Sequence, residues 1–322
     1  MIGAGYFSDF YYDACARIPE VEIGAFVDMN KAKGEVMQSN YKIAKYYSNL
    51  AEMLETEKSG FVDIVTLPAS QIELIKTIVG HGIPIICLKL LAPSFEELAL
   101  IASILETNKV RFTVHENFRF QPCHRELKKL LDADTIDTPY DFYFQTRIGD
   151  GFGPDAYLSR QPCFRVYKRL LIYETGIHFI HTFRFLAGEI TEVYSKTRRL
   201  NLVINGEDTA MVLFNFENGA WRTCDANRYN EDILPNKRYT FGNFLIEGSG
   251  GSIRLDLEGK ITIQKLGETS FEHHYTPSTV GFAGDCCHAT QQHFIQSLIE
   301  NKPFETSIDE YLKSLKIQEL VY

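Results

Sequence analysis

The chain has 322 residues, 45% hydrophobic and 23% charged, with a formal net charge of −9 at pH 7, which is length enough for two domains with cores of their own. The acidic balance argues against nucleic acid and anionic membrane surfaces as partners, and no apolar run approaches the roughly 20 residues of a membrane span. Nothing resembles a signal peptide, and seven scattered cysteines without a C-x-x-C pair read as reduced thiols of a cytoplasmic protein.

The first element is a glycine-rich turn, Gly3-Ala4-Gly5-Tyr6-Phe7-Ser8, running into a helical pattern of Phe7, Phe10, Tyr11 and Ala14. Gly3 permits a tight turn, and Gly5 lets bare backbone approach a pyrophosphate. A helix starting near Tyr6 aims its N–H groups at the phosphate charge. An apolar strand at 21–27 then closes on Asp28, roughly 20 residues past the loop, where a carboxylate accepts the ribose hydroxyls of a dinucleotide. Gly3, Ala4, Gly5, Tyr6, Phe7 and Asp28 are therefore expected to bind the cofactor. Asp28 favours NAD because it repels a 2′-phosphate; Lys31 and Lys33 partly offset that repulsion and leave NADP open. Ser8 stands where the third glycine usually lies, a position that needs a small side chain for helix–strand packing. Only Met1 and Ile2 precede the loop, so the first strand is either very short or cut off.

Strand-like runs continue at 45–47, 61–67, 84–87 and 110–115, separated by helical patterns, with capping-box spacing at Asn49/Glu52 and Ser94/Glu97. Near-continuous apolar strands alternating with helices predict a parallel sheet covered on both faces. Ligands of such sheets bind beyond the carboxyl ends of the strands, which brings Thr66, Leu67, Pro68 and the segment Leu88-Lys89 to the cofactor edge.

After about residue 120 the pattern changes. A helix at 126–131 and a strand at 140–147 precede an irregular stretch at 149–165, and a second helix covers 173–186. Strands at 209–216 and 221–227 flank Asn218-Gly219, the strongest short-range hairpin signal. Further strands are expected at 239–247, 252–257 and 260–265, with a Gly248-Ser249-Gly250-Gly251 turn, and closing helices at 285–300 and 307–321. The predicted class is α/β. A doubly wound Rossmann domain spans 1–118, and an α+β domain with a large, mostly antiparallel open sheet spans 119–322.

Three residues carry candidate chemistry. Lys89 closes a strand where it would emerge beside a nicotinamide, and Glu174 and His178 lie four apart on a predicted helix, hence on one face. An imidazole titrates in the range suited to taking a hydroxyl proton as hydride leaves, and a lysine can hydrogen-bond the developing alkoxide. Singly, each also reads as an ordinary strand-end lysine or helix pair. His181 invites a zinc reading with Glu174 and His178, and Cys286-Cys287-His288 another, but the sequence places no further ligands and no metal is expected.

Together these features resemble the glucose–fructose oxidoreductase/inositol dehydrogenase/MocA family over nearly the whole chain. The resemblance rests on the glycine loop, Lys89 at a strand end, Glu174-x-x-x-His178, the stretch from His115 to Pro122, Gly206-Glu207-Asp208, Ile246-Glu247-Gly248 and the closing helices. Gly149-Asp150-Gly151, Arg160-Gln161-Pro162 and the run from Tyr173 to His178 look most like the branch containing D-apiose dehydrogenases. The resemblance implies NAD(P)-dependent oxidation of a sugar or polyol hydroxyl, with Lys89 and His178 as catalytic pair and Glu174 replacing the usual Asp. It also implies Gln71 and Asn117 near the cofactor and Arg119 near the substrate. Leu88 and Leu90 flank Lys89 where the family commonly has Glu-Lys-Pro. That departure keeps open a cofactor-binding regulator without turnover, beside an enzyme that retains NAD for transient oxidation.

The stretch 149–169 adds Tyr157, Arg160 and Arg165 as substrate candidates. With Arg147, Lys168 and Arg169 it reads either as a grip for a sugar acid or phosphate or as a solvated or subunit-contacting basic loop. An open sheet with one bare face, as in the family, would make a homodimer or homotetramer through that face.

Overall fold

The computed structural model describes residues 1–322 except Pro93 and Lys237, and these fall into two units: Met1–Asn117 with Cys287–Leu312, and Phe118–Cys286 with Lys313–Tyr322.

The first unit alternates helix and strand: α1 Ser8–Ala16, β1 Ala25–Val27, α2 Lys31–Tyr41, β2 Lys45–Tyr47, α3 Leu50–Thr56, β3 Val62–Ile64, α4 Pro68–Val79, β4 Ile85–Leu88, α5 Phe95–Asn108 and β5 Phe112–His115. β1 pairs with β2, and β3 with β4 and β5, all parallel. Ile2 bridges Val27 on one side and Ile64 on the other, also parallel. Its N–H donates to the Asp63 carbonyl and its own carbonyl accepts from Val65, both at 2.8 Å. The two-residue stub therefore acts as the central strand of a doubly wound sheet. β1, β3, β4 and β5 are short but largely buried, as the inner strands of a parallel sheet covered on both faces require, and β2 at the edge is partly exposed.

Asn49 and Ser94 cap α3 and α5 as their spacing predicts, and Asn30 caps α2. The strand expected at 21–27 begins only at Ala25. Before it, Val21 donates back to Ile18 and Gly24 to Glu22, turns favoured by Pro19 and Gly24. The chain returns to this unit at 287–312, where Gln291 Nε2 donates to Asp63 at 2.6 Å and Thr113 Oγ1 to the Thr306 carbonyl at 3.0 Å.

The second unit holds α6 Pro122–Asp132, β6 Pro139–Arg147, a π-helical turn Leu171–Gly176, α7 Ile177–Ala187, β7 Ile190–Arg198, β8 Thr209–Phe216, β9 Trp221–Asn227, β10 Asn243–Gly248, β11 Gly251–Leu255, β12 Ile261–Lys265 and β13 Phe271–His273; α8 Cys286–Ile299 and α9 Ile308–Leu320 follow in the chain. The strands form one sheet in the order β13-β12-β11-β10-β6-β9-β8-β7, antiparallel except for the β6–β9 pair. The β8–β9 hairpin turns at Asn218-Gly219, with Gly219 at φ +84° and Asn218 Oδ1 accepting the Ala220 N–H.

Alternation along β6, β8, β9 and β10 sends Phe142, Phe144, Val212, Phe214, Phe244 and Ile246 inward against Phe179 and Phe183 of α7. Residues 239–242 lie outside β10: Tyr239 donates back to Asn236, and Gly242 passes so close to Phe144 that no side chain fits there. The edge strands β7 and β13 escape the sequence pattern because both are largely exposed and polar, with no period-two apolar signal.

Candidate active site

In the first unit the glycine loop is held by its own neighbours. Gly3 has φ +104°, and a Cβ there would lie 2.3 Å from the Val65 carbonyl oxygen, so only glycine fits. Ser8 is fully buried; its hydroxyl donates to the Gly3 carbonyl and accepts the Gly5 N–H, both at 2.9 Å. A small polar residue thus replaces the third glycine and ties the loop. Asp28 Oδ2 accepts the Ala4 N–H at 2.8 Å and Oδ1 accepts the Asn30 N–H at 2.7 Å. Tyr46 donates its hydroxyl to the Asp28 carbonyl at 2.7 Å, packed where Gly34 leaves room for its ring. A Cβ at Gly5 would meet no atom within 4 Å, so this backbone faces open space that a pyrophosphate can enter. The helix starts at Ser8, two residues later than expected, leaving Tyr6 and Phe7 in the turn itself.

The other expected cofactor residues gather at strand ends of the same unit. Pro68 opens α4 at its first position, and Leu67 before it is exposed. Ser70 Oγ donates to Thr66 Oγ1 at 3.0 Å. Gln71 is buried, and its Nε2 donates to the Thr66 and Leu88 carbonyls at 2.9 and 3.2 Å, bracing the ends of β3 and β4. Lys89 follows β4, half-buried, and the Lys89–Leu90 peptide is cis. Asn117 donates Nδ2 to Cys287 Sγ at 3.3 Å.

In the second unit His178 is buried on α7, its ring stacked on Phe118 at 4.1 Å with planes 9° apart. Glu174 does not precede it on a regular α-helix. The turn Leu171–Gly176 is π-helical, so the expected arrangement of two residues one α-turn apart on one face gives way to a wider turn. Distant side chains support the turn. Glu207 accepts the Leu170 and Ile172 N–H groups at 3.1 and 3.0 Å, Tyr322 accepts the Tyr173 N–H at 3.1 Å, and Gln318 donates to the Ile172 and Tyr173 carbonyls at 2.7 and 3.1 Å. Gly206, beside Glu207, approaches the Leu170 backbone too closely for any side chain.

Glu174 Oε2 accepts from Arg228 Nη1 at 3.0 Å and from Thr175 Oγ1 at 2.6 Å. Arg228 also forms a forked pair with Asp150, Nε to Oδ1 at 2.9 Å and Nη2 to Oδ2 at 2.7 Å. Burial alone would lower the Arg228 guanidinium, but Asp150 and Glu174 raise it well above its ordinary range. Of the substrate candidates, Tyr157 donates to Asp150 Oδ1 and Arg160 to Asp150 Oδ2, each at 3.3 Å. Burial pushes the Tyr157 hydroxyl up from its usual range. Arg165 donates to the Pro154 carbonyl at 3.0 Å, and Arg119 Nη1 lies 3.2 Å from His181 Nε2 with its guanidinium over Phe185. His181 meets Ser314 Oγ at 3.0 Å through its other ring nitrogen. Among the described residues no group of three or more His, Cys, Asp or Glu is placed to hold a metal ion. Arg228 and the structural part of Glu207 are not legible in the sequence because their partners are remote in the chain, and the Gly206-Glu207-Asp208 motif is the one local signal near them.

Comparison with known proteins agrees with both halves. Residues 1–116 match the family model described as "Oxidoreductase family, NAD-binding Rossmann fold", and residues 124–254 match the GFO/IDH/MocA C-terminal domain. The first unit is therefore an NAD-binding Rossmann fold, which the open loop at Gly5 fits. D-apiose dehydrogenase of Paraburkholderia graminis is 28% identical, covering 100% of this chain and 86% of the relative. The D-apiose dehydrogenase of Rhizobium rhizogenes is 26% identical, covering 100% and 93%. Among solved structures, an oxidoreductase from Agrobacterium radiobacter in complex with NAD+, L-tartaric acid and magnesium superimposes with TM-score 0.89 at 25% identity, covering 99% of this chain and 93% of that one.

Proposed function

The chain belongs to the Gfo/Idh/MocA family of NAD-binding oxidoreductases, and from that premise we propose that it dehydrogenates a neutral sugar or polyol, moving a hydride between a hydroxyl-bearing carbon and NAD. The observation that carries this reading is a glycine loop shaped for a dinucleotide in a chain that matches two D-apiose dehydrogenases along its whole length. NAD supplies the hydride acceptor; Gly3, Ala4, Gly5, Tyr6, Phe7 and Asp28 would hold it, with Thr66, Leu67, Pro68, Gln71, Leu88 and Asn117 alongside. His178 takes the hydroxyl proton as the carbonyl forms, and Lys89 hydrogen-bonds the oxygen as negative charge grows on it. Glu174 accepts a second substrate hydroxyl and so orients the ring.

The charge pattern favours a neutral substrate over a sugar acid or phosphate. Arg147 is paired with Asp225, Arg160 with Asp150, Arg169 with Glu319, and Arg165 donates to backbone carbonyls. A guanidinium already engaged must break that contact before it grips an anion. We therefore assign Tyr157, Arg160, Arg165 and Arg119 to the frame around the substrate.

Two further readings accompany this one. A homodimer or homotetramer would bury the outward sheet face, where Tyr194, Leu213, Thr223, Tyr143 and Leu245 lie in one cross-strand row and Met211 and Trp221 are exposed. A cytoplasmic location suits seven cysteines that are all free thiols. No helix among the described residues is long and apolar enough to cross a membrane.

The test is nicotinamide absorbance with a panel of pentoses, hexoses, inositols, aldonates and sugar phosphates. Turnover confined to neutral members is expected. NAD bound tightly with no turnover on any member would contradict the assignment and favour a cofactor-binding regulator, and preference for an anionic member would contradict the substrate class.

A further inference from the structure

Arg228 lies one residue beyond β9 and is fixed by its own backbone: its N–H donates to the Asp208 carbonyl at 2.8 Å and its carbonyl accepts the Gly151 N–H at 2.9 Å. Its guanidinium is buried against the rings of Phe164, at 4.9 Å, and Tyr157, at 5.4 Å. From that seat the planar fork fixes Asp150 with two bonds and extends its remaining nitrogen to Glu174 Oε2 and Thr175 Oγ1, each at 3.0 Å. Thr175 Oγ1 in turn donates to Glu174 Oε2. One cation thus joins the irregular segment after β6 to the π turn carrying Glu174.

We propose that Arg228 is a positioning residue for the dehydrogenation: by fixing the Glu174 carboxylate it sets which substrate hydroxyl is held, and hence which carbon faces His178. This rests on the function proposed above. Arg228 bonds both Asp150 and Glu174. Arg160 and Arg238 both reach Asp150 Oδ2, at 3.3 and 3.8 Å, so Asp150 keeps cationic company if Arg228 is removed. Arg228 also pairs with Glu174 at 3.0 Å, so removing the arginine takes away a bond that holds that carboxylate. A lysine at 228 preserves charge but cannot reproduce a fork that bonds Asp150 twice while reaching Glu174.

The experiment compares R228K, R228Q, E174Q and the R228Q/E174Q double variant in the full chain, reading NAD affinity, melting temperature, kcat and KM. NAD affinity should stay within twofold of wild type in all four, since its residues lie in the other unit. R228Q should lose at least 100-fold in kcat/KM and R228K at least tenfold. The double variant should fall within threefold of the worse single, because the two residues act as one device. Should R228Q fail to fold, the same cycle run with R228K carries the test. Losses that multiply, or NAD affinity that falls in step with turnover, would reveal a merely structural arginine and overturn the inference. So would R228K and R228Q within threefold of wild type. Wild-type protein inert toward every panel member would overturn the proposed function, and the positioning role with it.

Discussion

Asp63 lies in the middle of β3, buried in the first unit, with Oδ2 accepting from Gln291 Nε2 at 2.6 Å and Oδ1 without a hydrogen-bond partner among the described residues. Burial raises its carboxyl from 3.8 to about 7, against the opposing hydrogen bond from Gln291. A carboxyl whose folded value is raised stays protonated in the native state while the unfolded chain ionises, so stability falls as pH rises from about 4 to about 7. That gap of about 3, at about 1.4 kcal/mol per pH unit, corresponds to about 4 kcal/mol over the full window. Between pH 5 and pH 8 the portion lost is about 2–3 kcal/mol. Asp63→Asn removes the titration yet keeps an oxygen for Gln291 to donate to. The assay is urea unfolding of both proteins at pH 5 and pH 8, taking the difference in unfolding free energy at each pH so that every other titrating group cancels. The variant should gain about 2–3 kcal/mol relative to wild type on going from pH 5 to pH 8. An unchanged difference, or one that shrinks, would refute a protonated Asp63 in the native core.

Three other outcomes follow from named contacts. Gly3→Ala forces a Cβ to within 2.3 Å of the Val65 carbonyl at φ +104°, so NAD affinity should drop at least tenfold by titration calorimetry. Tyr322→Phe removes a hydroxyl that donates to Glu207 at 2.6 Å and satisfies the Tyr173 N–H; stability should fall by about 1–3 kcal/mol, and sugar turnover should fall while NAD affinity holds. Arg222 is fully buried over the Phe183 ring at 3.8 Å with no hydrogen-bond partner among the described residues, and burial pushes its guanidinium down to about 9. Replacing it with methionine should raise the unfolding free energy by about 1–3 kcal/mol in urea, whereas a loss above about 2 kcal/mol would mean that the surrounding rings hold the cation better than they would hold an apolar chain.

What the sequence exposed was whatever rests on neighbours in the chain. The glycine loop, the Asn49 and Ser94 caps and the Asn218-Gly219 hairpin are local devices, and each stands where its residues place it. The π turn was invisible because its backbone groups are satisfied by Glu207, Gln318 and Tyr322, all far along the chain. Arg228 was invisible for the same reason: Asp150 is 78 positions away and Glu174 is 54. The irregular stretch at 149–165 displayed its arginines but not their partners, so a basic loop on paper is an internally paired one in three dimensions. Ser8 shows the opposite case, since its small size was legible but its two loop-tying hydrogen bonds were not.

The proposed dehydrogenation assigns Lys89 and His178 to one reaction with NAD. The most direct measurement is a paired determination, on Lys89→Ala and His178→Ala, of NAD affinity and of hydride transfer to NAD in a single turnover with the best neutral substrate. Affinity within threefold of wild type and transfer slowed at least 1,000-fold in both variants is the predicted result. Transfer at near wild-type rate in either variant would contradict it.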